Sequence, residues 1–216
     1  MMQTASDAGL ELMPKQAVHI VDDDEHLRLS LLDLFLSLGM TACAFADAAD
    51  FFARASRECA GCILLDLRLP GINGIEFQGR LETEGFQLPV VFMTGHGDVT
   101  TSVNAMKAGA IDFLQKPLQT KELLEAINAA FVIDSDRRRM RASTEEINRR
   151  ASTLTRREHQ VMGLVAQGLM NKQIAFELGV SEMMVKLHRG KVMRKMKATS
   201  LAELVRLVEL IQHDQR

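Results

Sequence analysis

Short apolar runs alternate with helically spaced apolar stripes over the first 130 residues. Val18-His19-Ile20-Val21, Thr41 to Phe45, Ile63-Leu64-Leu65 leading into Asp66, Pro89 to Met93, and Ile111 to Leu114 are brief, β-branched or aromatic, and bounded by turn residues. Such runs predict strands buried on both faces. Between them lie predicted helices. Leu27 to Leu38 carries Leu27, Leu31, Leu34, Phe35 and Leu38 at helical spacing and stops at Gly39. Ala48 to Arg57 and Gly74 to Glu84 follow. Val99, Val103, Met106 and Ala110 stripe a fourth helix, and Lys121 to Val132 forms a fifth. Five strands with crossover helices predict an α/β fold, a doubly wound five-stranded parallel sheet of flavodoxin-like type.

The pattern changes beyond residue 133. From Leu118 to Met162 there is no glycine or proline, and arginines and acids recur at helical spacing. A flexible tether would be richer in glycine, proline or serine. The spacing predicts a helical linker over 134–152, with a solvated charged coil as the alternative. The remainder reads as all-helical. Thr155 and Glu158 suit a capping box ahead of Val161, Leu164 and Val165. Gly168 stops that helix, and Asn171 is expected to cap Lys172 to Leu178. Gly179-Val180-Ser181 turns into a helix from Glu182 to Met196, giving a helix-turn-helix. A last helix runs from Ser200 to Gln212. The predicted organisation is a tail (1–16), an α/β domain (17–133), the linker (134–152) and a helix-turn-helix domain (153–216).

Charge divides along the same lines. Residues 1–134 hold 9 basic and 19 acidic residues, whereas residues 151–216 hold 11 and 6. An acidic half joined to a basic half suggests a regulated module and a nucleic-acid module. No apolar run approaches the roughly 20 residues of a membrane span, and the start lacks the pattern of a secretory signal. Cys43, Cys59 and Cys62 are odd in number, which suits a reducing compartment. Cys59 and Cys62 have metal-like spacing without a second pair and read as packing residues. The expectation is a cytoplasmic protein with no membrane partner.

The chemistry gathers at strand ends. Asp66 closes the third strand, Asp22-Asp23-Asp24-Glu25 follow the first, and Lys116-Pro117 follow the fifth. Ligands bind at that edge of open α/β sheets. Converging carboxylates need a neutralising cation, and hard oxygen ligands suit Mg²⁺ better than zinc.

Asp22-Asp23, Asp66 in Leu-Asp-Leu-Arg-Leu-Pro-Gly, Thr94 in Met-Thr-Gly-His-Gly-Asp, and Lys116-Pro117 after Asp112-Phe113 stand in one order over about 118 residues. Together they resemble the receiver domain of two-component response regulators. Leu154 to about Gln212 resembles the LuxR-type helix-turn-helix. The whole chain is therefore similar to the FixJ–NarL class of transcriptional regulators, and Gly95-His96-Gly97-Asp98-Val99 leans toward FixJ.

The resemblance implies a phosphorylation-dependent DNA-binding transcription factor rather than an enzyme. Asp66 would accept phosphate from a sensor histidine kinase. Asp23, Asp66 and the Arg68 carbonyl would hold Mg²⁺ directly, and Asp22 through water. Lys116 would pair with a phosphoryl oxygen, and Thr94 would hydrogen-bond the phosphoryl group. Phe113 would follow that movement by packing, and the Lys116–Pro117 bond is expected to be cis. Arg68 and His96 flank the path of attacking water. Gly74 and the turn Pro70-Gly71-Ile72-Asn73 shape the loop after Asp66. Double-stranded DNA, RNA polymerase and, once phosphorylated, a second copy of the chain are the implied partners. A constitutive DNA binder with a silent receiver is one alternative. A phosphatase using Asp66 is another, although Arg68 stands where such enzymes place an acid.

Winding Val185 to Lys197 at 100° per residue puts Val185, His188, Val192 and Met196 toward the core. Lys186, Leu187, Gly190, Arg194 and Lys197 fall on the other side. A mid-helix glycine beside a leucine suits a surface that approaches base edges and thymine methyls. The NarL-like pattern has a DNA-contacting lysine where Gly190 stands, so that contact is either absent here or moved to Arg189 or Arg194. Lys172, Lys191, Lys195 and Lys197 are candidates for phosphate contacts, and Ser181 completes the DNA-binding set. On the last helix Leu207 and Leu210 exceed what a core needs. They suggest a two-fold contact, or else a broader core.

Overall fold

The computed structural model describes residues 15–95 and 111–214, and the chain divides into two compact units between Arg137 and Arg138. In the first, β1 (Ala17–Val21), β2 (Thr41–Phe45), β3 (Gly61–Asp66), β6 (Val90–Thr94) and β7 (Asp112–Gln115) form a parallel sheet in the order β2-β1-β3-β6-β7. Alternate strand residues supply two cores. Val18, Ile20, Leu64 and Met93 pack with Leu31 and Phe35 of α1 (Glu25–Ser37) and with Leu123 and Ile127 of α4 (Thr120–Ser152). Val21, Ile63, Leu65 and Phe92 pack with Phe51 of α2 (Ala48–Arg54) and with Phe77 and Leu81 of α3 (Gly74–Thr83). Both faces are covered, which explains why the strands read as unbroken apolar runs.

Register brings the reactive ends level. Val21 pairs with Leu65, Asp66 with Met93, and Thr94 with Gln115. Asp22, Asp66, Thr94 and Lys116 therefore emerge along one edge of the sheet. Beneath Asp66 the backbones close up. A Cβ on Gly74 would lie 2.7 Å from the Phe92 ring and 3.2 Å from the Asp66 carbonyl oxygen, so only glycine fits there.

The structure departs from the periodicity in several places. Arg68–Leu69 (β4) and Ile72–Asn73 (β5) form a small hairpin around Gly71, whose φ is +80°. Helix α2 ends at Arg54 because Ala55 is extended, with ψ at 134°. The fifth predicted helix does not end at Val132; α4 continues through the linker stretch to Ser152, 33 residues in all. The predicted fourth helix, with Val99, Val103, Met106 and Ala110, lies outside the described residues, as does nearly all of the predicted tail.

The inward stripe of α4 runs Leu123, Ala126, Ile127 and Ala130, and then reaches Asp134, which is only 2% exposed. Its Oδ2 accepts a 2.8 Å hydrogen bond from Gly61 N–H, the first amide of β3. Gly61 has φ at +118°, and a Cβ there would stand 1.9 Å from the Ala17 carbonyl oxygen. The Gln16 side chain bonds the Phe131 carbonyl at 2.7 Å in the same cluster.

The second unit holds α5 (Arg156–Ala166), α6 (Asn171–Leu178), α7 (Glu182–Met196) and α8 (Leu201–Asp214). Val161, Val165, Ile174, Val185, Val192, Met196, Leu204 and Val208 form its core with Ile147 and Ala151 from the end of α4. The Thr155–Glu158 capping box is present. Asn171 is not the cap of α6. Met170 holds that position, and the Gln173 Oε1 accepts from its amide at 2.8 Å. Gly179 takes the left-handed conformation with φ at 64°, and Ser181 Oγ accepts from the Met184 amide at 3.3 Å. Among the described residues no helix is long and apolar enough to cross a membrane.

Candidate functional sites: an acid pocket and an exposed helix face

The first site is built where β1, β3, β6 and β7 end. Asp22 is fully buried, Asp66 nearly so, and Asp23 exposed; one ligand atom from each lies within 4.8 Å of the others. Lys116 Nζ reaches Asp22 Oδ2 at 2.7 Å and Asp66 Oδ1 at 3.3 Å. The Lys116–Pro117 bond is cis, and the Lys116 amide donates a 2.7 Å hydrogen bond to the Thr94 carbonyl. Thr94 is buried, and its Oγ1 donates to the Gly95 carbonyl at 3.2 Å. Phe113, on β7, is half-buried against the core shared with α2 and α3. Arg68 sits on the β4 hairpin, and its backbone hydrogen-bonds the Asp66 carboxylate.

The turn after β1 is locked locally. Asp22 Oδ1 accepts from the Asp24 amide at 2.9 Å, while Asp24 Oδ1 caps α1 through His26 and Leu27 at 2.9 and 3.2 Å. Arg28 Nη1 donates to the Asp22 carbonyl at 2.6 Å. Arg28 is not among the site residues that the sequence predicts. Its only signal is its place one turn into a helix that begins beside the acids.

Burial pushes the Asp66 carboxyl above its ordinary range. Lys116 opposes this, the Asp22 charge adds to it, and the Lys116 and Arg68 hydrogen bonds pull back. Burial alone would lower the Lys116 ammonium, but the Asp22 hydrogen bond and the two carboxylate charges hold it above its usual value. Three carboxylates against one ammonium leave the pocket short of positive charge. Their oxygen-only donor set fits a divalent cation such as Mg²⁺. His96 lies outside the described residues.

The second site is the outer face of α7. Lys186, Leu187, Gly190, Arg194 and Lys197 are exposed, opposite buried Val185, Val192 and Met196. Lys197 ends the helix in the left-handed conformation, with φ at 54°. Lys172 and Ser181 are exposed on α6 and in the turn. Two of the predicted contacts are tied into the fold. Arg189 Nη1 bonds Asn171 Oδ1 at 3.1 Å. Lys195 Nζ bonds Glu158 Oε2 at 2.7 Å and the Thr153 carbonyl at 2.8 Å. The Lys195 bonds, the Thr155 amide and the Thr155 hydroxyl hold the Glu158 carboxyl down at about 2. His188 is half-buried, with Nδ1 unpartnered. On α8, Leu210 is 46% exposed, whereas Leu207 packs against the unit's own core.

Residues 18–128 match the response regulator receiver domain, and residues 152–208 match the bacterial regulatory proteins of the luxR family. Nodulation protein W of Bradyrhizobium diazoefficiens is 44% identical over 201 residues, covering 93% of this chain and 88% of that protein. The solved structure of response regulator StyR is 45% identical with a TM-score of 0.80, covering 90% of this chain and 98% of that one. Full-length FixJ from B. japonicum is 38% identical with a TM-score of 0.55, covering 93% and 98%.

Proposed function

The chain belongs to the FixJ–NarL class of response regulators, a receiver domain and a LuxR-type DNA-binding domain in one polypeptide, and on that premise we propose that phosphorylation of Asp66 controls its action on transcription. The observation that carries this reading is the Lys116 ammonium bridging Asp22 and Asp66 at the sheet edge. An Asp66 carboxylate oxygen attacks the phosphorus of a phosphohistidine on a sensor kinase. The P–N bond breaks, and the imidazole leaves with its electron pair. Asp23, Asp66 and the Arg68 carbonyl would hold Mg²⁺, with Asp22 acting through water. The ion supplies charge neutralisation for the phosphoryl oxygens. Lys116 pairs with one of those oxygens. The Thr94 hydroxyl exchanges the Gly95 carbonyl for another, and Phe113 moves with it.

The phosphorylated chain pairs with a second copy, with Leu210 and Leu207 as contact candidates, and acts beside RNA polymerase. Lys172, Lys186 and Lys197 position it on the DNA backbone. Arg194, Leu187 and Gly190 meet base edges, and Ser181 lies at the start of that helix. Arg189 and Lys195 act from their internal hydrogen bonds. We place the protein in the cytoplasm, in keeping with three cysteines that form no disulfide. The domains of this reading are 17–133 and 153–216, joined by 134–152.

Loading the full chain with beryllofluoride tests the switch. Molecular mass and DNA affinity should both rise, and no change in either would defeat it. For about six phosphate contacts per dimer, log affinity should fall with log salt at a slope of about −5. Equal activity of wild type and Asp66→Ala would instead indicate a constitutive DNA binder.

A further inference from the structure

Met183, Leu187, Gly190 and Arg194 stand at i, i+4, i+7 and i+11 of α7 and so share one outward stripe. Met183 is 74% exposed and Leu187 50%, although the unit has a closed core on the opposite side of the same helix. A Cβ added at Gly190 would meet nothing within 4 Å, so internal packing does not require the glycine. Gly79 and Gly163 are equally unconfined within helices, but neither stands in line with large exposed apolar side chains. Lys186 and Lys191 border the stripe, each about 70° around the helix from its centre. The result is an apolar strip between two lysines.

We propose that this helix selects its DNA chiefly through the 5-methyl groups of thymine. The inference rests on the DNA-binding reading and narrows it. The thymine methyl is the apolar feature of the major-groove edge, while the other base positions there present hydrogen-bond donors and acceptors. Met183 and Leu187 can bury methyls but cannot satisfy donors or acceptors. Gly190 lets the backbone between them come close, and the bordering lysines take phosphates. Arg194, at the far end of the stripe, supplies its hydrogen-bonding group, suited to guanine O6 and N7. Winding the helix from Val185 leaves Met183, in its first turn, outside the contact face that the sequence predicts.

The test uses the full chain loaded with beryllofluoride and duplexes enriched from a random-sequence pool. Each thymine of an enriched duplex is replaced in turn by uracil, which lacks only the methyl. At least two positions per half-site should lose roughly three- to five-fold in affinity, the worth of one buried methyl. Met183→Ala and Leu187→Ala should each abolish the thymine–uracil difference at one position. Gly190→Ala should raise the melting temperature of the DNA-binding unit while weakening binding to the enriched duplex. Equal affinity for thymine and uracil at every position, with enrichment intact, would overturn the inference and leave DNA binding standing. Failure to enrich any duplex would overturn the DNA-binding reading, and the inference with it.

Discussion

In the first unit the reactive groups come from strand ends as far apart as residues 22, 66 and 116, and most of their surface is out of solvent. In the second they come mainly from one helix, with Lys172 and Ser181 shortly before it, and face outward. The difference follows from the two chemistries. Accepting a phosphoryl group depends on concentrated charge in a partly dry pocket. Reading DNA depends on an exposed surface that fits a groove already rich in hydrogen-bond partners. Burial and close charges in the acid pocket therefore shift the protonation of Asp66 and Lys116.

The largest effect should come from Asp66→Asn, which removes the nucleophile. Phosphoryl uptake from a small phosphodonor, followed by intact-protein mass, should vanish altogether. Affinity for unselected duplex should stay near that of the unphosphorylated protein. A residual signal would mean that another acid can serve.

Gly61→Ala should rank next. With φ at +118° and a Cβ falling 1.9 Å from the Ala17 carbonyl oxygen, β1 and β3 must separate or the strand must twist. A loss of about 3 kcal/mol or more in the first unit is expected, read as an earlier urea transition with the second unit's transition unmoved. Coincident shifts of both transitions would show that the units unfold together.

Glu158→Gln probes a buried acid of the second unit that is paired with a lysine, Lys195. The neutral amide can keep the capping geometry but loses the charge, for about 1–2 kcal/mol. The folded carboxyl is held at about 2, below its ordinary 4.5. Its stabilisation is therefore complete above about pH 4.5 and fades as pH falls toward 2. Wild type and variant should converge over that window.

His19→Leu should show the smallest effect and the opposite sign. His19 is 5% exposed beside the Phe45 and Phe51 rings, and neither ring nitrogen has a hydrogen-bond partner. Burial pushes its imidazole pKa down, against weaker upward pulls from the Ala60 backbone and Asp134. The folded state thus resists protonation, and stability should fall as pH drops below about 6.5, where the unfolded chain takes up the proton. Leucine should gain about 1 kcal/mol and flatten the first unit's melting temperature between pH 6.5 and 5. A pH profile unchanged by the substitution would assign the acid sensitivity elsewhere.

Local pattern carried the five strands and the described helices of the first unit, the helix-turn-helix, and the edge where Asp22, Asp66 and Lys116 meet; the family resemblance picked out Thr94. Those features depend on periods of two and 3.6 residues and on acids placed just after apolar runs, all of which a linear chain displays. The capture of the β3 amide by Asp134, the clamp of Arg28 on the Asp22 carbonyl, and the diversion of Lys195 to Glu158 join residues 73, 6 and 37 positions apart. No periodicity encodes which donor meets which acceptor across such gaps. Only the packed arrangement of sheet and helices sets those distances, and with them which charges stay inside and which are left to meet a partner.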